Sequence, residues 1–101
     1  MNLIDFGFDS SIKVLGVMRD TMEAKYLCED MLEIDLPGGL TIGIGWEPHC
    51  DPSGAFHIAL FRKYSTENVI APIITNEIQT AVSEIKRLAV EYRWLCFNLK
   101  P

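Results

Sequence analysis

Two stretches in which apolar and polar residues alternate, joined by a Pro-Gly-Gly turn, constrain this fold more than any other feature of the sequence. Residues 32–36 alternate apolar with acidic side chains, and after Pro37-Gly38-Gly39 the alternation resumes over residues 40–47. A period of two gives each strand one apolar face and one polar face. Proline presets φ and glycine accepts the positive φ of a tight reversal, so the sequence predicts an antiparallel hairpin.

The alternation continues beyond the hairpin and predicts a third strand. A loop at residues 48–54 leads into the segment Ala55–Lys63, where Phe56, Ile58 and Leu60 share one face. Because consecutive strands joined by short loops usually pair, we expect the three strands to form an antiparallel meander.

The last third of the chain predicts an amphipathic helix. Thr75 or Asn76 is a suitable N-cap, and Asn76 with Gln79 has the spacing of a capping box. Apolar residues then recur every three or four positions, which places them on one stripe that should cover the apolar face of the sheet. The stripe consists of Ile78, Ala81, Val82, Ile85, Leu88, Ala89 and Tyr92.

Three further segments complete the predicted architecture. Residues 12–18 fit a fourth strand, residues 20–28 a short helix or strand continuation, and residues 69–74 an edge strand. The expected fold is α+β: an antiparallel β-meander of four to five strands with a long C-terminal amphipathic helix packed on one face. A chain of 101 residues has room for one core, so residues 1–101 are expected to form a single domain.

Cysteine usage and hydropathy indicate the compartment. The cysteines are odd in number, widely spaced and without a CxxC pair, which argues against a secreted disulfide framework; they are Cys28, Cys50 and Cys96. The N-terminus lacks a basic leader region, and no apolar run approaches the ~18 residues of a membrane span. We therefore expect a cytoplasmic protein with no membrane partner. Since a domain of this size folds without a metal staple, no cofactor is predicted.

The distribution of charge points to a basic partner. The net charge is −5; the first 61 residues carry ten acidic and three basic residues, whereas the rest carry four acidic and six basic ones. Binding to nucleic acid needs clustered Lys and Arg, so a nucleic-acid partner is disfavoured. If the acids are also concentrated in space, the partner is expected to be a basic protein.

The candidate binding surface is the outer face of the sheet. Gly43 and Gly45, with Ala55 and Ala59 opposite, leave a strip with few side chains that another molecule can approach closely. Acids flank this strip, and an aromatic residue at its margin would anchor a partner if it were exposed. The alternative is that the glycines relieve crowding and the acids only solvate the sheet. The residues predicted to bind the partner are Glu33, Asp35, Trp46, Glu47, Asp51 and Phe61.

A small enzyme or ligand-binding domain is the competing hypothesis. The loop His49-Cys50-Asp51, with His57 close behind, combines metal-ligating and nucleophilic side chains. A structural zinc site needs about four ligands in paired short spacings, which this loop lacks, so no metal site is predicted. Cys50 as a nucleophile would need His49 or His57 as its base, without an oxyanion-hole motif. We therefore expect no catalytic residues and a protein that is not an enzyme.

The C-terminal segment raises a third hypothesis. Residues 94–99 are unusually apolar for a terminus. They either pack back on the sheet or form a self-association patch, since large exposed apolar patches usually mark interfaces. In the second case the chain would be an oligomeric accessory domain, for example a homodimer assembled through this tail.

Several short motifs resemble small bacterial immunity proteins. The motifs are Leu36-Pro37-Gly38-Gly39-Leu40, Gly45-Trp46-Glu47-Pro48, Asp51-Pro52-Ser53-Gly54 and Phe56, followed by the amphipathic helix. Across residues 31–93 this layout resembles cytosolic immunity proteins of toxin systems, including contact-dependent inhibition. The resemblance implies a non-catalytic role, in which a compact acidic inhibitor binds a cognate toxin, often a basic nuclease, at its active site or substrate-binding surface.

Overall fold

The computed structural model describes residues 2–63, 65 and 67–94, and it confirms the α+β fold. Five strands form one antiparallel sheet in which the spatial order is the order of the sequence. One α-helix follows the last strand. The elements are β1 Lys13–Gly16, a 3₁₀ helix Ala24–Tyr26, β2 Leu32–Asp35, β3 Leu40–Glu47, β4 Ala55–Arg62, β5 Ile73–Thr75 and α1 Ile78–Glu91. Neither helix in these described ranges has the length and hydropathy needed to cross a membrane.

The three segments with weaker sequence signals also form regular structure. Residues 12–18 supply β1, which is shorter than predicted, and the alternative of a short helix is correct within residues 20–28. The predicted edge strand is β5. Trp94 is exposed, but most of the C-terminal segment lies outside the described residues, so the expectation about residues 94–99 stays a prediction.

The core lies between the inner face of the sheet and α1. Ile34, Ile42 and Leu60 stand directly opposite one another on β2, β3 and β4, and all three are fully buried. The helix closes this face with four residues that belong to the predicted stripe: Ala81, Ile85, Leu88 and Ala89. Fully burying one aliphatic side chain contributes about 1.5–3 kcal/mol, so this interdigitated layer stabilises the domain.

The predicted capping box at the start of α1 is wrong. Asn76 is not the N-cap; the helix begins at Ile78 with Glu77 in the cap position. The reason is that β5 extends through Thr75, which pairs with Phe56 and whose hydroxyl accepts a hydrogen bond from the Glu77 amide at 3.1 Å. Asn76 therefore belongs to the turn between strand and helix.

A β-bulge interrupts the border between β2 and β3. The Met31 amide donates to the carbonyl of Ile44 at 2.9 Å, and the Trp46 amide donates to that of Cys28 at 2.7 Å. Leu32 pairs with Ile44, so three residues, 29–31, lie opposite the single residue Gly45 before the bond between Trp46 and Cys28. A Cβ added at Gly45 would collide with the carbonyl group of Glu29. The close approach of these two main-chain segments therefore requires glycine here.

The two glycines of β3 are expected to differ sharply in their tolerance of alanine. Gly45→Ala should lower the free energy of unfolding by about 2 kcal/mol or more, because the added methyl group meets backbone that cannot move independently. Gly43→Ala is the matched control: its Cβ would lie 3.1 Å from the ring of Phe61, a side chain that can shift. The free energy of unfolding of Gly43→Ala should differ from that of the parent protein by no more than about 1 kcal/mol. Urea unfolding measures both, and equal destabilisation would contradict the bulge geometry.

Candidate functional site

The outer face of the sheet carries a cleft whose floor is built from small residues. Residues directly opposite in an antiparallel sheet share a face, and Leu15, Glu33, Gly43 and Ala59 form one such row across β1 to β4. In the next row, Gly45 lies beside His57. With hydrogen or methyl side chains at the centre and larger ones at the flanks, the sheet forms a concave surface.

This cleft has a volume of about 540 Å³ and is strongly acidic. Four carboxylates line it, from Glu29, Asp30, Glu33 and Glu47, and all four residues are exposed. None of the described residues that line it is Lys or Arg. Clustered charge of one sign in a concave surface concentrates the field and attracts counter-charged groups.

Three of these carboxylates have no counter-charge among the residues that the structure describes. Glu47 lies 3.8 Å from His57 Nδ1, which can compensate it when the imidazole is protonated. The side chains of Glu29, Asp30 and Glu33 make no ion pair with any described residue. Their charge is therefore available to a cationic ligand.

An aromatic ring forms part of the cleft lining. Phe61 is half-buried on β4, and its ring lies over Gly43, 3.1 Å from the position of an ideal Cβ. The missing side chain at Gly43 gives the ring its space. Phe61, predicted as an aromatic anchor, is therefore placed in the cleft, where its ring can contact the stem or the charge of a bound cation.

Not all of the acids predicted to bind a partner lie in the cleft. Glu33 and Glu47 line the cleft as expected. Asp35 is instead held internally: its carboxylate accepts from the Thr41 hydroxyl at 3.0 Å and from Lys63 Nζ at 2.6 Å, and its side chain is only 14% exposed. Because this charge is already compensated, Asp35 is not a free partner-binding group.

The prediction that Trp46 anchors a partner is wrong. Trp46 is 1% exposed because it lies on the inner face of β3, with its ring edge-on to Phe56 at 4.9 Å. Its indole N–H donates to the carbonyl oxygen of Asp51 at 2.8 Å, which ties the β3–β4 loop to the core. Trp46 is a structural residue.

Asp51 also has a local structural role and is not part of the cleft lining. Its carboxylate accepts hydrogen bonds from the Ser53 amide at 2.9 Å and the Ser53 hydroxyl at 2.7 Å. These two hydrogen bonds lower the pKa of Asp51 below its ordinary value, and the bond from the amide has the larger effect. The carboxylate shapes the turn that precedes β4.

The side chains of the His49-Cys50-Asp51 loop engage separate segments of the chain. His49 Nδ1 accepts a hydrogen bond from the Glu29 amide at 2.9 Å, and the Cys50 thiol lies 3.9 Å from the carbonyl oxygen of Lys25. Within the described ranges, no group of three or more His, Cys, Asp or Glu is arranged to hold a metal ion. The loop therefore supports the bulge, since His49 fixes the main chain at Glu29.

Sequence reasoning missed Glu29 and Asp30 as site residues. They lie between the predicted segments 20–28 and 32–36, and the bulge opposite Gly45 brings them to the cleft. The available signal was the glycine within an otherwise regular strand, which often marks a bulge or a close backbone approach.

Comparisons of the chain with models of protein families, with curated proteins and with solved structures found no match. The functional interpretation therefore depends on the geometry and charge of the cleft. The resemblance to immunity proteins stays a prediction from the sequence.

Removing the Ser53 hydroxyl should raise the pKa of Asp51 without restoring its ordinary value. In Ser53→Ala the amide bond, which has the larger effect, is retained. Because the folded-state pKa is lowered, these bonds stabilise the fold above the unfolded-state pKa, and their contribution is lost as pH falls through the folded pKa. Carboxyl NMR titration measures the change.

Asp9 provides an internal control for this titration. Hydrogen bonds from the Ser11 hydroxyl and amide, together with Arg93, lower its pKa to about 2. That value should be unchanged in Ser53→Ala. An unchanged Asp51 pKa would contradict the assigned cause.

Proposed function

We propose that this protein is a non-catalytic, acidic protein-binding domain whose cleft docks a basic surface of a partner protein. The observation that carries the proposal is the cleft on the outer sheet face, which four carboxylates line and which has no Lys or Arg among its described lining residues. Three of the carboxylates lack an ion pair among the described residues, so a partner's cations would meet charge that is not yet compensated.

The character of the lining favours a protein partner with Lys or Arg side chains. Leu15 and Phe61 offer apolar contact beside the acids, which suits a long cationic side chain whose stem is apolar and whose head is charged. Arg in addition stacks on aromatic rings and pairs with carboxylates through two hydrogen bonds. Interfaces of this kind gain association rate and specificity from complementary charge.

The resemblance to immunity proteins supplies a specific form of this proposal. The partner would be a cognate toxin, such as a basic nuclease, and the acidic cleft would cover its active site or substrate-binding surface. A cytoplasmic location fits an inhibitor that protects the cell producing it. The enzyme hypothesis receives no comparable support, because the Cys50 thiol and the His49 and Asp51 side chains engage three different segments.

Neutralising the cleft should weaken binding of the partner by about 3- to 150-fold. The test uses the triple variant Glu29→Gln, Asp30→Asn and Glu33→Gln, which preserves shape and removes three charges. Exposed ion pairs contribute about 0.2–1 kcal/mol each, so losing three gives a measurable decrease. The partner is captured with the tagged chain at about 50 mM salt, identified by mass spectrometry and purified, and its affinity is measured calorimetrically at low and high salt.

A matched control removes three exposed acids outside the cleft lining: Asp20→Asn, Glu23→Gln and Glu77→Gln. This variant has the same net charge and should bind like the parent protein, and Cys50→Ala should do so too. Salt-insensitive binding, a partner without a basic surface, or equal weakening by the two triple variants would contradict the proposal.

A further inference from the structure

The edge of the sheet at β1, which no other described strand covers, carries several exposed apolar residues. All four residues of β1 are exposed, and the sheet order places this strand at the end of the sheet. Val14 is 41% exposed, Leu15 52% and the following Val17 44%. Lys13 is the only charged residue between Ile12 and Val17.

The exposure follows from how the helix lies on the sheet. α1 packs mainly against β3, β4 and β5 rather than against β1. Val14 therefore remains exposed although it stands opposite the fully buried Ile34 on the inner face. Leu15 stands opposite Glu33 on the outer face and belongs to the lining of the acidic cleft.

An edge of this kind is a template for another strand. Its outward N–H and C=O groups have no strand partner among the described residues, whose only register with β1 is that of β2. Natural edge strands are usually protected by charges, proline or bulges. Here a single lysine precedes three exposed apolar residues, so the edge offers backbone hydrogen bonds and apolar contact together.

We propose that the basic partner docks through an extended segment that pairs with β1 as a sixth strand of the sheet. This inference rests on the proposed function and specifies how the partner enters the cleft. Main-chain hydrogen bonds to β1 supply affinity, and alternate side chains supply specificity. Residues of the added strand on the outer face lie beside Leu15 and reach toward Glu33, which selects Lys or Arg there. The intervening residues lie beside Val14 on the inner face, which selects apolar side chains.

Charge favours a basic partner segment over a second copy of this chain at the β1 edge. Each copy carries a net charge of −5, and Glu33 lies one strand in from the edge, so pairing two β1 strands would bring like charges together. A basic segment in the same position gains favourable interactions with the cleft. Complementary charge therefore favours the partner's strand.

Selective N-methylation of a peptide backbone tests strand addition directly. The probe is a fluorescein-labelled peptide of alternating Arg and Val, with two derivatives N-methylated at either all Arg or all Val residues. In a strand, alternate N–H groups point to opposite edges, so only one derivative loses its bonds to β1. One derivative should bind about tenfold more weakly or worse, and the other should bind like the parent peptide. Fluorescence anisotropy at about 50 mM salt measures the affinities.

Two further measurements locate the docking site on the protein. The amide NMR signals of residues 13–17 should shift on addition of the parent peptide. Val14→Lys should weaken binding more than Val90→Lys, a matched change on α1 at a residue 80% exposed. Circular dichroism checks that both variants fold.

The outcomes separate this inference from the proposed function. Equal binding by the two methylated derivatives, or no binding of the parent peptide, overturns strand addition, while the capture experiment with the neutralised cleft still tests the proposed function independently. A dimer in sedimentation whose β1 amides are protected would assign the edge to a second copy and also overturn the inference.

Discussion

The passage of the Glu29 main chain across Gly45 is the contact on which the outer face of the sheet depends. Because position 45 has no side chain, residues 29–31 fit opposite it, and the strand border bulges. The bulge brings Glu29 and Asp30 to the cleft, and His49 supports it by accepting the Glu29 amide. Two of the four cleft acids thus owe their place to backbone geometry at the border between β2 and β3, and strand alternation places Glu33 and Glu47.

The carboxylates of this protein divide into those with internal partners and those without. Asp35 is held by Lys63, Asp9 by Arg93, and two acids of α1 share the guanidinium of Arg87. Several acids make no ion pair with a described residue. Glu29, Asp30 and Glu33 share the cleft, whereas Asp5, Asp20, Asp51, Glu67 and Glu77 lie outside its lining. The three in the cleft act together in one concave surface, which supports the cleft as the binding surface.

Periodicity in the sequence predicted most of the fold, because the two faces of each strand and the stripe of α1 follow directly from residue spacing. The same periodicity placed Trp46 on the inner face, so its proposed role as an exposed anchor conflicted with the pattern that defined the strand. The three central strands were predicted as a meander, but the places of β1 and β5 in the sheet could not be obtained from spacing alone. The position of Glu29 could not be obtained either, since it depends on the contact of its main chain with Gly45. Asn76 was misassigned because local capping preference gave way to the tertiary pairing that extends β5 through Thr75.

The bulge couples the residue type at position 45 to the residues 29–31 that lie opposite it. A side chain at 45 is expected to fit the sheet only when two of the residues 29–31 are deleted, because the pairing of Leu32 with Ile44 would then continue one-to-one to Cys28 and Trp46. Such a deletion would also remove at least one acid from the cleft. We therefore expect divergent forms of this protein to change the glycine and the extra residues together, and their binding preference with them.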